Sequence, residues 1–241
     1  MLQARSRSGK LITPAMFPRE KIPLLKKDTY YCPVCKGEVI LRAGERVIAH
    51  FAHVKSENCP VAGGEGVYHE RGKLTLFQWL RKQGIPVELE KYLPEIQQRP
   101  DLLFRLKTKT VAIEYQCSII RHEAILNRTN GYRNAGIYVL WLLGEKLMRR
   151  RGSQSLYIDS FTQTAIHKFN PNYPLTLFYF CPINYHFIKF QDFTFTRKNY
   201  ASGKLTVNHL HNIKLKDSLK AEFIHKPSFA TIWKQEKKRS S

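Results

Sequence analysis

Asp101 and Glu114 sit in two short apolar runs, Arg99-Pro100-Asp101-Leu102-Leu103-Phe104-Arg105-Leu106 and Val111-Ala112-Ile113-Glu114-Tyr115-Gln116-Cys117-Ser118, separated by Lys107-Thr108-Lys109-Thr110. Alternation predicts two strands joined by a polar turn, with Asp101, Leu103 and Arg105 sharing one face and Ala112, Glu114 and Gln116 pointing opposite to Ile113, Tyr115 and Cys117. If residues 107–110 form the whole loop, Leu106 faces Val111, Asp101 faces Gln116 and Leu103 faces Glu114. Asp101 and Glu114 are then diagonal neighbours, with Cβ atoms about 7 to 8 Å apart. That gap suits two carboxylates sharing a hard divalent cation, and hence phosphodiester hydrolysis. Two exposed acids on an edge hairpin account for the same spacing, so the surroundings must decide.

A second constellation lies upstream. Tyr31-Cys32-Pro33-Val34-Cys35-Lys36-Gly37 reads as a knuckle turn, followed by His50-Phe51-Ala52-His53 and Cys59-Pro60, with short strands expected over Val39–Leu41 and Arg46–Phe51. Thiolates and an imidazole are the ligands zinc prefers, and a small β-ribbon gives them a frame. Cys32, Cys35, His53 and Cys59 are the expected set, with His50 as a substitute for His53 or Cys59. Four protein ligands leave no open position, so the zinc is expected to be structural. A reduced cysteine pair beside two ordinary histidines is the alternative.

The elements needed to position these groups are readable. The stripe Glu70, Lys73, Leu74, Phe77 and Leu80 predicts a helix over Val67–Gln83, with a charged pair turned inward at its start. Charges on a buried face require compensation, which an adjacent acid or metal site would provide, although a simple Glu70–Lys73 helix pair has the same spacing. His69 lies on the same turn. Gly84 ends the helix, Ile85, Val87 and Leu89 alternate as a strand, Arg121–Asn134 is helix-compatible, and Ile137–Leu143 is a continuous apolar run. The last run reads as a buried strand pairing parallel with its neighbour, because a helical crossover precedes it. The order is helix, three strands, helix, strand.

The chain has 241 residues, a formal net charge of +21 and 43% hydrophobic residues, which favours a folded protein with a polyanionic partner over a disordered basic chain. It has no apolar run of about 18 residues and no export-type hydrophobic region near Met1, so a cytoplasmic protein without a membrane span is expected. Five cysteines, two of them in Cys-x-x-Cys, point to metal in a reducing compartment. Pro14, Pro18 and Pro23 make Leu11–Lys27 an expected extended leader or strand edge. Residues 62–66 form an expected glycine-rich joint. Tyr185, Phe187, Phe190 and Lys189 in the aromatic C-terminal stretch have the make-up of a surface that stacks single-stranded bases, but core packing of a β element explains them more cheaply, and Lys214–Ser241 reads as a basic helix or tail.

The helix acid, the Pro-Asp pair opening the second strand and Glu-x-Gln on the third resemble the PD-(D/E)XK nuclease superfamily. Cys-Pro-Val-Cys, His-Phe-Ala-His, His-Glu-x-Gly-Lys, Arg-Pro-Asp, Ile-Glu-Tyr-Gln-Cys-Ser and Tyr-x-x-x-Gly-Ile-Tyr-Val-Leu-Trp, spread in order over about residues 12–145, resemble the competence protein CoiA family. The resemblance implies an α/β fold with a restriction-endonuclease-like αβββαβ core and mixed sheet at 62–147, after an N-terminal segment and zinc β-ribbon at 1–61. A basic, aromatic-rich C-terminal extension follows at 148–241, short for the family. It implies a metal-dependent deoxyribonuclease acting on incoming DNA during natural transformation and recombination, with single-stranded or branched DNA and recombination proteins as partners. Glu70, Asp101 and Glu114 match acids that hold Mg²⁺ or Mn²⁺. Gln116 stands where many relatives carry a lysine, so Gln116 and Lys73 are expected to orient the attacking water, and His69 and Lys73 to meet phosphate. Arg121, His122, Arg128, Arg133 and the run Arg149-Arg150-Arg151 are the expected backbone-phosphate contacts. A weakly active or inactive DNA-binding module on the same scaffold is the alternative.

Overall fold

The structure is a computed structural model, and it describes residues 1–44, 47–54, 59 and 66–222. Most of the expected glycine joint, the start of the strand expected from Arg46 and the end of the basic tail lie outside the described residues.

The N-terminal sheet contains β1 (Ala4–Ser6), β2 (Leu11–Ile12), β3 (Tyr30–Tyr31), β4 (Glu38–Arg42) and β5 (His50–His53), in the order β2-β1-β3-β4-β5. The stretch expected as an extended leader or a strand edge opens with the edge strand β2 and then folds into two 3₁₀ turns and the short helix α1 (Ile22–Leu25), which the expectation did not include. Tyr30, Val39 and Phe51 form the ribbon's small core.

The helix α2 (Val67–Lys82) runs as the stripe predicts. Glu70 lies in its first turn and Arg81 and Lys82 in its last, each sign complementing the helix dipole, and Gly84 closes it at φ +74°. The chain continues through β6 (Val87–Leu89), β7 (Leu102–Leu106), β8 (Lys109–Gln116), α3 (His122–Asn134) and β9 (Ile137–Gly144). It then forms β10 (Arg149–Arg150), β11 (Ser155–Tyr157), α4 (Ser160–Thr164), β12 (Thr176–Cys181), β13 (His186–Arg197), β14 (Tyr200–His209) and α5 (Leu215–Ser218). These nine strands make one mixed sheet ordered β10-β11-β14-β13-β12-β9-β8-β7-β6. β8 and β9 pair in parallel over Thr110↔Ile137 to Gln116↔Leu143, and β12 joins β9 in parallel through Tyr179↔Leu143. The sheet therefore runs on across residue 147, and the strands expected as a separate extension hydrogen bond directly onto the core.

The sheet is covered on both faces. Leu76, Phe77 and Leu80 of α2 pack on Leu102, Phe104, Ile113, Tyr115, Leu140 and Leu142. On the other face Ile125 of α3 and Phe161 next to Trp141, Leu177 and Ile188 form a second core, and Tyr132 packs on Leu103 and Ala112. Lys189 and Phe190 are buried in β13, consistent with their reading as core rather than a stacking surface.

The central hairpin departs from the expected register. Its turn is two residues long, with Lys107 at φ +52°, and Leu106 pairs with Lys109, Leu103 with Ala112 and Leu102 with Ile113. The left-handed residue lets the chain reverse within two positions, as tight hairpins require. Continuing that register by one residue places Asp101 directly across from Glu114, not diagonal to it.

Candidate active site and metal centre

Asp101 immediately precedes β7 and its carboxylate turns onto β8. Its Oδ2 accepts the Tyr115 N–H at 2.8 Å and lies 3.2 Å from His69 Nε2, while its Oδ1 is 3.7 Å from Lys73 Nζ. Glu114 faces α3. Arg128 Nη2 is 2.8 Å from both of its oxygens, and the Tyr132 hydroxyl donates to Oε1. Arg128 and Tyr132 stand four residues apart on one helix face, so both reach the same carboxylate. Burial pushes the Glu114 carboxyl up to about 7; Arg128 pulls it down and the Asp101 charge adds to the rise.

Both acids line a cleft of about 640 Å³ at the C-terminal ends of β8 and β9. Its other charged or titratable walls are His69, Arg99, Arg128 and Lys146, with Cys117 as a thiol and the amides Gln97, Gln98 and Gln116 beside them. Two hard oxygen donors at the mouth of one cleft form the kind of donor set Mg²⁺ or Mn²⁺ accepts.

Other expected site residues fall elsewhere. The Glu70 carboxylate is 3.5 Å from the Met1 amine and 3.5 Å from His50 Nδ1, and Glu70 is not among the residues lining the cleft. Lys73 has no solvent exposure and donates to Glu90 beneath Asp101, so it supports the acid from behind and cannot touch a substrate phosphate in this arrangement. Gln116 lines the cleft but its amide donates to the Ser118 carbonyl at 2.7 Å and hydroxyl at 3.1 Å. Among the expected phosphate contacts, Arg128 belongs to the cleft; His122 pairs with Glu123 at 3.1 Å on the surface, and Arg121 is exposed at the start of α3. Arg133 lines a different groove. Arg149 and Arg150 lie in β10 at the far end of the strand order, and neither lines the cleft, although Lys146 three residues earlier does. Arg151 follows them, and Arg149 pairs with Asp159 at 3.5 Å.

Glu90 escaped the sequence reading. It is buried at φ +50°, pairs with Lys73, accepts the Leu2 N–H at 2.8 Å and lies 4.0 Å from Arg99. No motif marks it; the only local sign is a glutamate just after an alternating strand. Tyr132 carried a sequence signal in its spacing from Arg128. Gly72 also belongs to this construction, because a Cβ there would lie 1.9 Å from the Tyr115 ring.

The second constellation converges. One donor atom each from Cys32, Cys35, His53 and Cys59 lies within 4.8 Å of the others, and this is the one such His/Cys/Asp/Glu group among the described residues. Cys32 Sγ is 3.9 Å from Cys59 Sγ, and Cys35 Sγ is 3.4 Å from His53 Nε2. A tetrahedral zinc with bonds of about 2.3 Å to sulfur separates its thiolates by about 3.8 Å, so the set fits that ion. The Val34 and Gly37 N–H groups donate to Cys32 and Cys35 at 3.4 Å, the orienting bonds expected around a knuckle thiolate. Burial pushes Cys32 up to about 11, whereas at Cys35 the Gly37 N–H and the neighbouring thiols outweigh burial and lower the pKa. Burial, followed by the charges of the amino terminus and Arg99, lowers His53 and favours the neutral imidazole that binds metal. His50 is not a substitute ligand here. Its Nδ1 lies 2.8 Å from the Ile48 carbonyl and faces Glu70, because strand alternation turns it away from the side His53 occupies.

No helix among the described residues is long and apolar enough to cross a membrane. Residues 65–223 match the family model described as the nuclease-like domain of competence protein CoiA, and residues 15–62 match the model of its N-terminal domain. The competence protein CoiA of Bacillus subtilis (strain 168) is 32% identical over 181 residues, covering 74% of this chain and 48% of that protein. The chain thus spans about half the length of the curated relative it matches. With both domain models matched in order, the chain belongs to the competence protein CoiA family.

Proposed function

We propose that the cleft hydrolyses phosphodiester bonds in DNA with a divalent cation, on a restriction-endonuclease-like core, and that it serves competence by processing incoming DNA for recombination. The observation that carries this reading is that Asp101 and Glu114 line one cleft whose other charged walls are basic. A bound Mg²⁺ or Mn²⁺ would activate water and neutralise charge on the scissile phosphate. Asp101 and Glu114 would hold it, with Glu70 positioned on the same helix as His69 to support the wall. Asp101 is oriented by the Tyr115 N–H, and Lys73, anchored on Glu90, lies 3.7 Å behind it. Arg128 is placed to exchange its carboxylate partner for a substrate phosphate, while Arg99 and Lys146 line the path of the strand. The Cys32, Cys35, His53 and Cys59 set would hold a structural zinc, and single-stranded or branched DNA is the proposed substrate.

A second reading, a nuclease scaffold that binds DNA and recruits recombination proteins without appreciable cutting, is favoured by Gln116. Its neutral amide is turned onto Ser118, and no lysine occupies that position. Cleavage of single-stranded, duplex and branched DNA with Mn²⁺ separates the two. Loss of product in Asp101→Ala with DNA affinity retained supports hydrolysis; equal behaviour of Asp101→Ala and the wild type on every substrate refutes it. In both readings affinity falls steeply with salt, because phosphate binding releases counterions.

A further inference from the structure

The nine-stranded sheet has a split in its middle. β9 is paired with β8 along its whole length from Ile137 to Leu143, but β12 meets β9 only at Leu143 and Gly144. Below that point the two strands diverge, and the segment carrying His167 enters the gap, bridged to β12 through Thr176. His167 Nε2 lies 3.1 Å from both the backbone nitrogen and the carbonyl oxygen of Trp141, so the imidazole stands in for a neighbouring strand at that residue.

Backbone hydrogen-bonding direction alternates along a strand. Trp141 and Leu143 turn their N–H and C=O groups away from β8, so Val139 and Ile137 do the same. Among the described residues no strand pairs with Ile137 or Val139 on that side. An unpaired edge inside a sheet is a template for another strand. The edge opens into a groove of about 680 Å³ that shares no lining residue with the cleft. Its floor includes Phe104, Val111 and Leu140. Its charged lining residues are Lys109, Arg133 and Lys168, all exposed, and among the described residues no carboxylate lines it.

We infer that this groove docks an extended acidic peptide segment of a partner protein, which adds as a strand along Ile137 and Val139. The backbone groups supply the pairing, the apolar floor takes the peptide's apolar side chains, and the three cations around it select aspartate or glutamate among the rest. A strand of about four residues, roughly 13 Å, spans the open edge. A nucleic acid strand would be attracted by the same cations and could stack on Tyr138 and Phe169, which are 54% and 45% exposed. It would leave the N–H groups of Ile137 and Val139 without the regular acceptors that a peptide provides. Lys109 also already sits 4.6 Å from the Tyr138 ring centre.

The test uses the full chain and a capped seven-residue peptide alternating valine with aspartate or glutamate, followed by fluorescence anisotropy and by amide spectra of isotopically labelled protein. Saturable binding is expected, with shifted and exchange-protected Ile137 and Val139 amides. Lys109→Glu with Lys168→Glu should weaken it by about tenfold or more. N-methylation of one alternate set of peptide amides should abolish binding and methylation of the other set should leave it. Absence of saturation at millimolar peptide overturns the proposal, as does equal loss in both methylation registers. Displacement of the peptide by a deoxythymidine oligonucleotide whose own binding shows the same variant sensitivity overturns it in favour of a nucleic acid track. Asp101→Ala should leave peptide binding unchanged, so failure of the cleavage reading and failure of this one are separately visible.

Discussion

Glu90→Gln removes one charge from a buried pair without changing its volume. Lys73 is fully buried and donates to Glu90, whose side chain is 2% exposed. Breaking such a pair by neutralising one partner costs about 3 to 5 kcal/mol, because the remaining ion keeps its desolvation penalty. Asp101, 3.7 Å from the same ammonium, offers about 4 kcal/mol of attraction at an effective dielectric near 20, which places the expected loss at the lower end of that range. A loss of about 3 kcal/mol lowers the melting temperature by roughly 6 to 12 °C in a chain of this size. Urea unfolding of the zinc-loaded protein measures it, in a cycle with Lys73→Met and the double variant. The double variant should cost less than the sum of the singles by about 2 kcal/mol. A coupling below about 0.5 kcal/mol would refute the account of Lys73 and Glu90 as one unit. The Glu90→Gln protein should also bind Mn²⁺ more weakly, because Lys73 then leans on Asp101.

Four further outcomes are expected. Burial lowers His167 to about 4, so the unfolded chain binds more protons between pH 6.5 and about 4 and stability is lost as pH falls through that window, on the order of 3 kcal/mol in all. Glu114 has the opposite sign and about the same size: its raised pKa gives a contribution that is full below its unfolded value and lost as pH rises to about 7, so the two offset each other in the wild type and His167→Gln should unmask a rise in stability on acidification in denaturant titrations. Metal analysis should find about one zinc per chain, and chelation or Cys35→Ser should lower thermal stability together with metal content; full stability without zinc would refute the structural assignment. Gly72→Ala should cost about 3 kcal/mol or more, since its Cβ would meet the buried Tyr115 ring at 1.9 Å; a loss under about 1 kcal/mol would show that α2 can move off β8 freely.

The elements that build the site were legible where local chemistry decides them. The 3.6-residue stripe gave α2 to within a residue, and the helical segment before the apolar run from Ile137 gave the parallel pairing of β8 and β9. The Cys-x-x-Cys turn and the later His53 and Cys59 identified a set that the fold does bring together. The placement of the acids was less legible. The hairpin register depended on whether Lys107 could take a left-handed conformation, and that two-residue difference moved Asp101 from Gln116 to Glu114.

By itself the amino-acid order determined the kinds of group available and the local elements carrying them, because periodicity, turn chemistry and ligand spacing act over a few residues. Only the tertiary structure decided how Asp101 and Glu114 face each other, that Lys73 is spent on Glu90, that His50 turns to Glu70 rather than to the thiolates, and that the sheet continues past residue 147 with a gap below Leu143. Those choices depend on which buried charges find partners and which strand edges find neighbours, and the partners lie far away in the chain. Glu90 shows the reason most plainly: its role exists only because Leu2, Lys73 and Arg99 meet it in space.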